Sequence, residues 1–158
     1  MQATKHAFGH QGSRQTLAEG LAEYRQKNTE LVKGCSLTPE VRLFFQRHDV
    51  VHVVYWCGIS LPEEAVVKIA SLVGTTEGLR VLSGYRLRES IEIYRHLPVV
   101  ATLRAIAFSA LLVPRTIWRC LRRHRRWPWE HCQPYLPRPL CELRAELGVQ
   151  VAHRVDLG

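Results

Sequence analysis

Residues 38–64 read TPEVRLFFQRHDVVHVVYWCGISLPEE, and this stretch decides the fold. Thr38 can cap a helix, Pro39 suits its first position, and Glu40 favours the positive end of the helix dipole. The spacing predicts a helix from there to about Trp56, ended by Gly58. Ser60-Leu61-Pro62-Glu63 then reads as a capping box, in which the serine side chain and the acid three residues later satisfy each other's backbone donors. It opens a third helix, running to about Val73 and stopped by Gly74.

Working outward, Leu17, Leu21 and Tyr24 recur at helical spacing and predict an earlier helix over about Gln15 to Glu30. A helical segment is expected from Tyr85 to Leu97, and after Pro98 a long amphipathic one to about Arg126. A Pro-rich loop spans Trp127 to Pro139, and a short last helix, Leu140 to Leu147, stops at Gly148. No repeat and no strand alternation is evident. The expected fold is all-α, a single helical domain of about six helices over residues 15–158, preceded by a flexible tail over residues 1–14.

Composition sets the outer limits. A chain of 158 residues, 46% hydrophobic and 23% charged, suits one globular domain. The net charge of +8 points to an anionic partner. The cysteines are Cys35, Cys57, Cys120, Cys132 and Cys141; their odd number, and the lack of any C-x-x-C pair, suggest free thiols in a reducing cytoplasm. The oiliest stretch, Ala105 to Val113, is about half the roughly 20 residues that a membrane span needs.

The chemistry sits inside the second helix. Stepping about 100 degrees per residue from His48 places His52 at about 40 degrees and Asp49 at about 100. Val41, Phe45 and Tyr55 fall on the same side, so a polar trio lies on an apolar stripe. Two imidazoles one turn apart are the usual way for a helix to offer two nitrogens to one metal. Glu63 already has a task in the capping box and Glu64 does not, although any acid in a first turn also serves the dipole. Periodicity alone does not choose between them, nor between a metal site and satisfied core histidines.

The pattern His48-Asp49-x-x-His52, eleven residues, Glu64 resembles the signature of the coenzyme Q (ubiquinone) biosynthesis protein 4 family. The closing sequence Pro139-Leu140-x-Glu142-Leu143-Arg144-x-x-Leu147-Gly148, preceded by Trp129-Glu130, is similar to the way family members end. The resemblance implies an all-helical, peripheral membrane protein holding one divalent metal through His48, Asp49, His52 and Glu64. It also implies a prenyl lipid in an apolar channel, here around Ala105 to Val113, and a role in oxidative decarboxylation of a polyprenylated hydroxybenzoate-type precursor, in which a hydroxyl replaces the carboxyl group at the first ring carbon. A non-catalytic, lipid-binding scaffold for the other ubiquinone-synthesis enzymes is the alternative it leaves open, and a homodimer is among the assemblies it implies. Zinc, iron and manganese all suit such ligands. The N-terminus looks shorter than that of typical members, which leaves its part in the channel or in dimerisation open.

Six arginines lie between Arg115 and Arg126, flanked by Trp118, Trp127 and Trp129; removing them would lower the net charge from +8 to +2. Oily residues followed by arginines and tryptophans are the pattern of an interfacial anchor on the inner, anionic face of a membrane. Nucleic acid is disfavoured, since no binding motif accompanies the run. Glu89 and Glu92 are expected to pair with neighbouring arginines. A metal-dependent phosphohydrolase, suggested by His48-Asp49, would need a further histidine and a distant aspartate, for which only His6, His10 and Asp156 offer themselves.

Overall fold

The structure is a computed structural model that describes residues 6–28, 38–59, 61–85, 99–123 and 125–151. The described residues form six α-helices: α1 (Leu17–Lys27), α2 (Pro39–Tyr55), α3 (Leu61–Val73), α4 (Val81–Tyr85), α5 (Val99–Leu121) and α6 (Leu140–Leu147). Short 3₁₀ turns cover Ala7–Gly9, Gly78–Arg80 and Gln133–Tyr135. No strand occurs among the described residues, only two isolated bridges, Thr16 with Pro139 and Thr75 with Trp127. The fold is all-α. The expected helix over Tyr85 to Leu97, with Glu89 and Glu92, the Ser60 half of the capping box, Cys35 and Asp156 lie outside the described residues.

The helix boundaries follow local chemistry. The Thr38 hydroxyl accepts the Val41 N–H at 3.4 Å, and Pro39 occupies the first turn, where its missing N–H costs nothing. At α1 a full capping box forms: Glu19 N–H donates to Thr16 Oγ1 at 3.2 Å, and Thr16 N–H donates to Glu19 Oε2 at 2.7 Å. This box starts the helix at Leu17 rather than Gln15, and the helix ends at Lys27 rather than running to Glu30.

Helix α2 is the centre of the molecule. Val50, Val51, Val53 and Val54 are buried in succession, so its C-terminal half is covered on every side rather than along one stripe. Helices α1, α3 and α6 all pack on α2, and α3 also lies along α5. With its second half enclosed, any polar side chain there loses water and needs a compensating partner.

Two expectations are corrected here. Residues 6–14 are not a flexible tail: Phe8 is only 1% exposed and meets Tyr24 edge-on, with ring centroids 6.3 Å apart. The N–H of Ala7 donates to Glu23 Oε1, and main-chain carbonyls of this segment bind Arg144. One buried aromatic and these bonds order a stretch whose polar composition suggested otherwise. The second correction concerns Trp127 and Trp129, which are buried rather than interfacial. Trp127 exchanges main-chain hydrogen bonds with Gly74 and Thr76, and Trp129 N–H donates to Thr76 Oγ1. That pairing folds the segment inward, with Trp129 against Phe44 and Trp127 against Tyr135.

Candidate metal centre

One turn apart on α2, His48 and His52 project towards the start of α3, where Glu64 sits in the first turn. The two imidazoles meet edge to face, with centroids 4.6 Å apart. Glu64 Oε1 lies 3.2 Å from His52 Nε2, and Oε2 lies 3.9 Å from His48 Nε2. One ligand atom from each of the three residues falls within 4.8 Å of the others. His52 is fully buried and His48 nearly so.

The ring nitrogens are not equivalent. His52 Nδ1 lies 3.1 Å from the main-chain carbonyl of Cys57, which can only accept, so the proton is assigned to Nδ1 and that nitrogen donates. Its Nε2 is left facing Glu64. His48 Nε2 and His52 Nε2 are both buried without a well-formed hydrogen bond, and what each faces is the Glu64 carboxylate at ion-pair distance. Buried nitrogens in that position are uncommon and ask for an explanation. A histidine tied through one nitrogen to a carbonyl, with the other aimed at a carboxylate, has the arrangement of a metal ligand.

Aromatic rings wall the site. Phe44 stacks on His48 and Tyr24 on His52, with centroid distances of 6.0 and 5.1 Å, while Tyr85 meets His48 edge-on at 5.6 Å. Burial, helped by neighbouring His52, pushes the His48 pKa down to about 3, so its ring is neutral and its lone pair available. Burial also opposes charge on His52, but Glu64 beside it outweighs this and raises its pKa. Glu64 is shifted the other way: burial works against ionisation, and the two histidines overcome it and lower its pKa. The donors are therefore a neutral imidazole, a second imidazole held by a carbonyl, and an ionised carboxylate. Such a set fits one divalent ion of the zinc, iron or manganese class, with positions left for water or substrate.

Asp49, the fourth residue of the sequence pattern, is not brought into this group. Its Oδ2 takes the Nε–H of Arg25 at 3.0 Å, so it joins α2 to α1. A quarter turn along the helix carries it from the α3 side to the α1 side. Burial raises its pKa in spite of Arg25. His6 instead packs at a tilt against Phe8 near Glu23, and neither it nor His10 belongs to the group.

Sequence reasoning missed the Cys57 carbonyl and the π-faces of Tyr24 and Phe44. A main-chain acceptor leaves no mark in side-chain patterns; Tyr24 reads there only as part of a helical period, and Phe44 is not singled out at all. Cys57, Cys120, Cys132 and Cys141 are free thiols. Among the described residues no helix is long and apolar enough to cross a membrane. No protein-family model, no curated protein and no solved structure matches this chain.

Proposed function

We propose that this chain is a metal-binding peripheral membrane protein of ubiquinone biosynthesis, acting in the oxidative decarboxylation of a polyprenylated hydroxybenzoate-type precursor. The observation that carries the reading is the convergence of two buried imidazole nitrogens, neither in a well-formed hydrogen bond, on the Glu64 carboxylate, at the positions of the signature that the sequence resembles. His48, His52 and Glu64 would hold the ion, with Asp49 bracing His48's turn of α2 against Arg25. The bound ion would supply Lewis-acid chemistry to an oxygen of the substrate or, if redox-active, electrons for oxygen chemistry. The chain's own part is to keep His48 neutral, hold the His52 proton on Nδ1 through Cys57, and exclude water behind Phe44, Tyr24 and Tyr85. The scaffold alternative uses the same site as a brace between α2 and α3.

Membrane association at the cytoplasmic inner face is supported by the outer side of α5. Ala107, Ala110, Pro114, Trp118 and Leu121 recur at spacings of three and four and are all exposed, Trp118 by 55% and Leu121 by 66%. Exposed Arg115 and Arg122 run beside this stripe, and the Arg122 guanidinium lies 4.2 Å from the Trp118 ring centroid. An apolar stripe edged by cations suits an anionic bilayer surface, into which about 1 kcal/mol per basic residue is gained.

Elemental analysis of the purified protein tests the centre: close to one equivalent of zinc, iron or manganese is expected in the wild type and none in His52→Ala. Metal-free wild type, with a variant of equal stability, would end the metal reading. In cells unable to complete ubiquinone, the wild type should restore the quinone and His52→Ala should leave the carboxylated precursor in place. Loss of the assembled enzymes, with decarboxylation intact, would favour the scaffold. Trp118→Glu should release the protein from vesicles containing anionic lipid without altering its metal content.

A further inference from the structure

Arg144 is fully buried on α6, yet no carboxylate pairs with it among the described residues. All its bonds run to main-chain carbonyls: Nε to Val54 at 2.9 Å, Nη2 to Val53 at 2.8 Å and to Phe8 at 2.7 Å, and Nη1 to His10 at 2.6 Å. Burial lowers its pKa to about 10, which still leaves it charged at neutral pH. An unpaired buried cation costs several kcal/mol, so as a mere core filler Arg144 would be a poor choice. What it does that a hydrocarbon cannot is hold two separate chain segments by their carbonyls at once.

Those segments enclose the turn that aims His52. Val53 and Val54 belong to the last turn of α2. Beyond them the chain reverses at Trp56, whose φ of 49° puts a bulky residue in the left-handed region. Such a conformation costs about 1–2 kcal/mol and persists only when its surroundings impose it. On the other side, Gly9 stands between the two N-terminal carbonyls that Arg144 holds, and a Cβ there would come within 2.3 Å of Trp56 Nε1. The Trp56 ring is thus pressed against the strap of residues 8–10. The next residue, Cys57, donates its N–H to His52 O at 2.9 Å and offers its carbonyl to His52 Nδ1.

We propose that Arg144 is a positioning residue for His52: by fastening the N-terminal strap to the last turn of α2, it holds the Trp56–Cys57 turn and so fixes which ring nitrogen faces Glu64. The link rests on the metal reading above for its purpose, but not for its geometry. Contacts run without a gap from the guanidinium to the imidazole, and His52 has no other bond at Nδ1 to set its orientation.

The test compares full-length wild type, Arg144→Lys and Leu17→Ala. Leu17 is fully buried on α1 and makes no part of this path, so its loss lowers stability alone. The readouts are zinc affinity by competition with a chromophoric chelator and, in the metal-free protein, the exchange-protected Nδ1–H signal of His52 by ¹⁵N NMR. Arg144→Lys should weaken zinc about tenfold or more, as losing support of a ligand does, and should lose the protected signal. Leu17→Ala should melt earlier with both readouts kept. Wild-type affinity and a protected signal in Arg144→Lys would overturn the proposal, as would equal losses in Leu17→Ala. If Arg144→Lys does not fold, Gly9→Ala disturbs the same turn from the strap side and must show the same loss of signal. A wild type that binds no metal, yet loses the signal in Arg144→Lys, would end the proposed function and leave the positioning link standing.

Discussion

Helices α2 and α6 end with the same pair of hydrogen bonds and with opposite economies. At α6, Val149 N–H donates to Arg144 O at 2.7 Å and Gly148 N–H to Ala145 O at 3.2 Å, with Gly148 at a φ of 65°. At α2, Cys57 N–H donates to His52 O at 2.9 Å and Trp56 N–H to Val53 O at 3.4 Å, with Trp56 at a φ of 49°. Both are Schellman turns. Glycine takes the left-handed position of such a turn freely, whereas a tryptophan there is strained. The α6 turn takes its left-handed residue without strain, and Gln11 binds the chain just past it at Val149 O and Val151 N–H. The α2 turn has a strap on one side and a guanidinium on the other, and the carbonyl just past it faces His52. Strain kept in place by this much surrounding structure marks the end of the helix with a task.

The largest effect should come from removing the guanidinium outright. Arg144→Met takes a donor from four carbonyls. Val53 O keeps Trp56 N–H and His10 O keeps Ser13 N–H, whereas Val54 O and Phe8 O lose a buried partner, each worth about 1–3 kcal/mol when unsatisfied. The packing of the guanidinium is lost as well. A loss of at least ~3 kcal/mol is expected, read as a drop of roughly 10 °C in melting temperature for a domain of this size. A loss below ~1 kcal/mol would mean that the α2 end needs no more support than the α6 end, and the contrast would fail.

Pressing on the strained turn should come next. In Gly9→Ala the new methyl must displace the Trp56 ring, and overpacking of this kind costs about 1–3 kcal/mol. Urea denaturation measures it, and zinc affinity should fall together with stability. At the other turn the two quantities should separate. Gly148→Ala forces a side chain into the left-handed region for about 1 kcal/mol, and zinc affinity should stay at the wild-type value. A metal defect in Gly148→Ala would show that the two helix ends are not independent.

How much of this contrast can be read in the sequence differs sharply between the two ends. Gly148 announces its turn, because glycine after a helical run is the ordinary stop. At α2 the same rule points to Gly58, two residues past the true reversal, because nothing in the identity of Trp56 betrays a left-handed backbone imposed from outside. α3 begins at Leu61, where its helix is expected, and the all-α class and the start of α2 are legible, since the Thr38 cap and periodicity set them. So is the juxtaposition of His48 and His52, a property of one helix. Asp49 shows the limit of that reasoning: a wedge of about 100 degrees is wide enough to span two neighbouring helices, and Arg25 on α1 takes the carboxylate. The strap is illegible for another reason. Phe8 is a lone aromatic with no period around it, and its carbonyl is held by an arginine far along the chain.

The smallest effect should come from the strap's other fastening, which also has a pH signature. Glu23 on α1 accepts the Ala7 N–H at 3.1 Å, the Gln15 side-chain amide at 3.1 Å and the Lys27 ammonium at 3.0 Å. Partial burial works against its charge, but these donors prevail and bring its pKa down to about 2. A pKa lowered in the folded state means that the ionised form supports folding. Its contribution is therefore complete above the ordinary value of 4.5 and disappears as pH falls from there towards about 2. Glu23→Gln keeps the shape but loses the charge, so it should cost about 0.5–1 kcal/mol at neutral pH and nothing at pH 2, as followed by urea denaturation across that range. Because this fastening holds the start of the strap and not the carbonyls beside Gly9, zinc affinity should be unchanged. If Glu23→Gln weakened zinc as much as Gly9→Ala, the strap as a whole, rather than the Arg144-held turn at Trp56, would be what orders the metal centre.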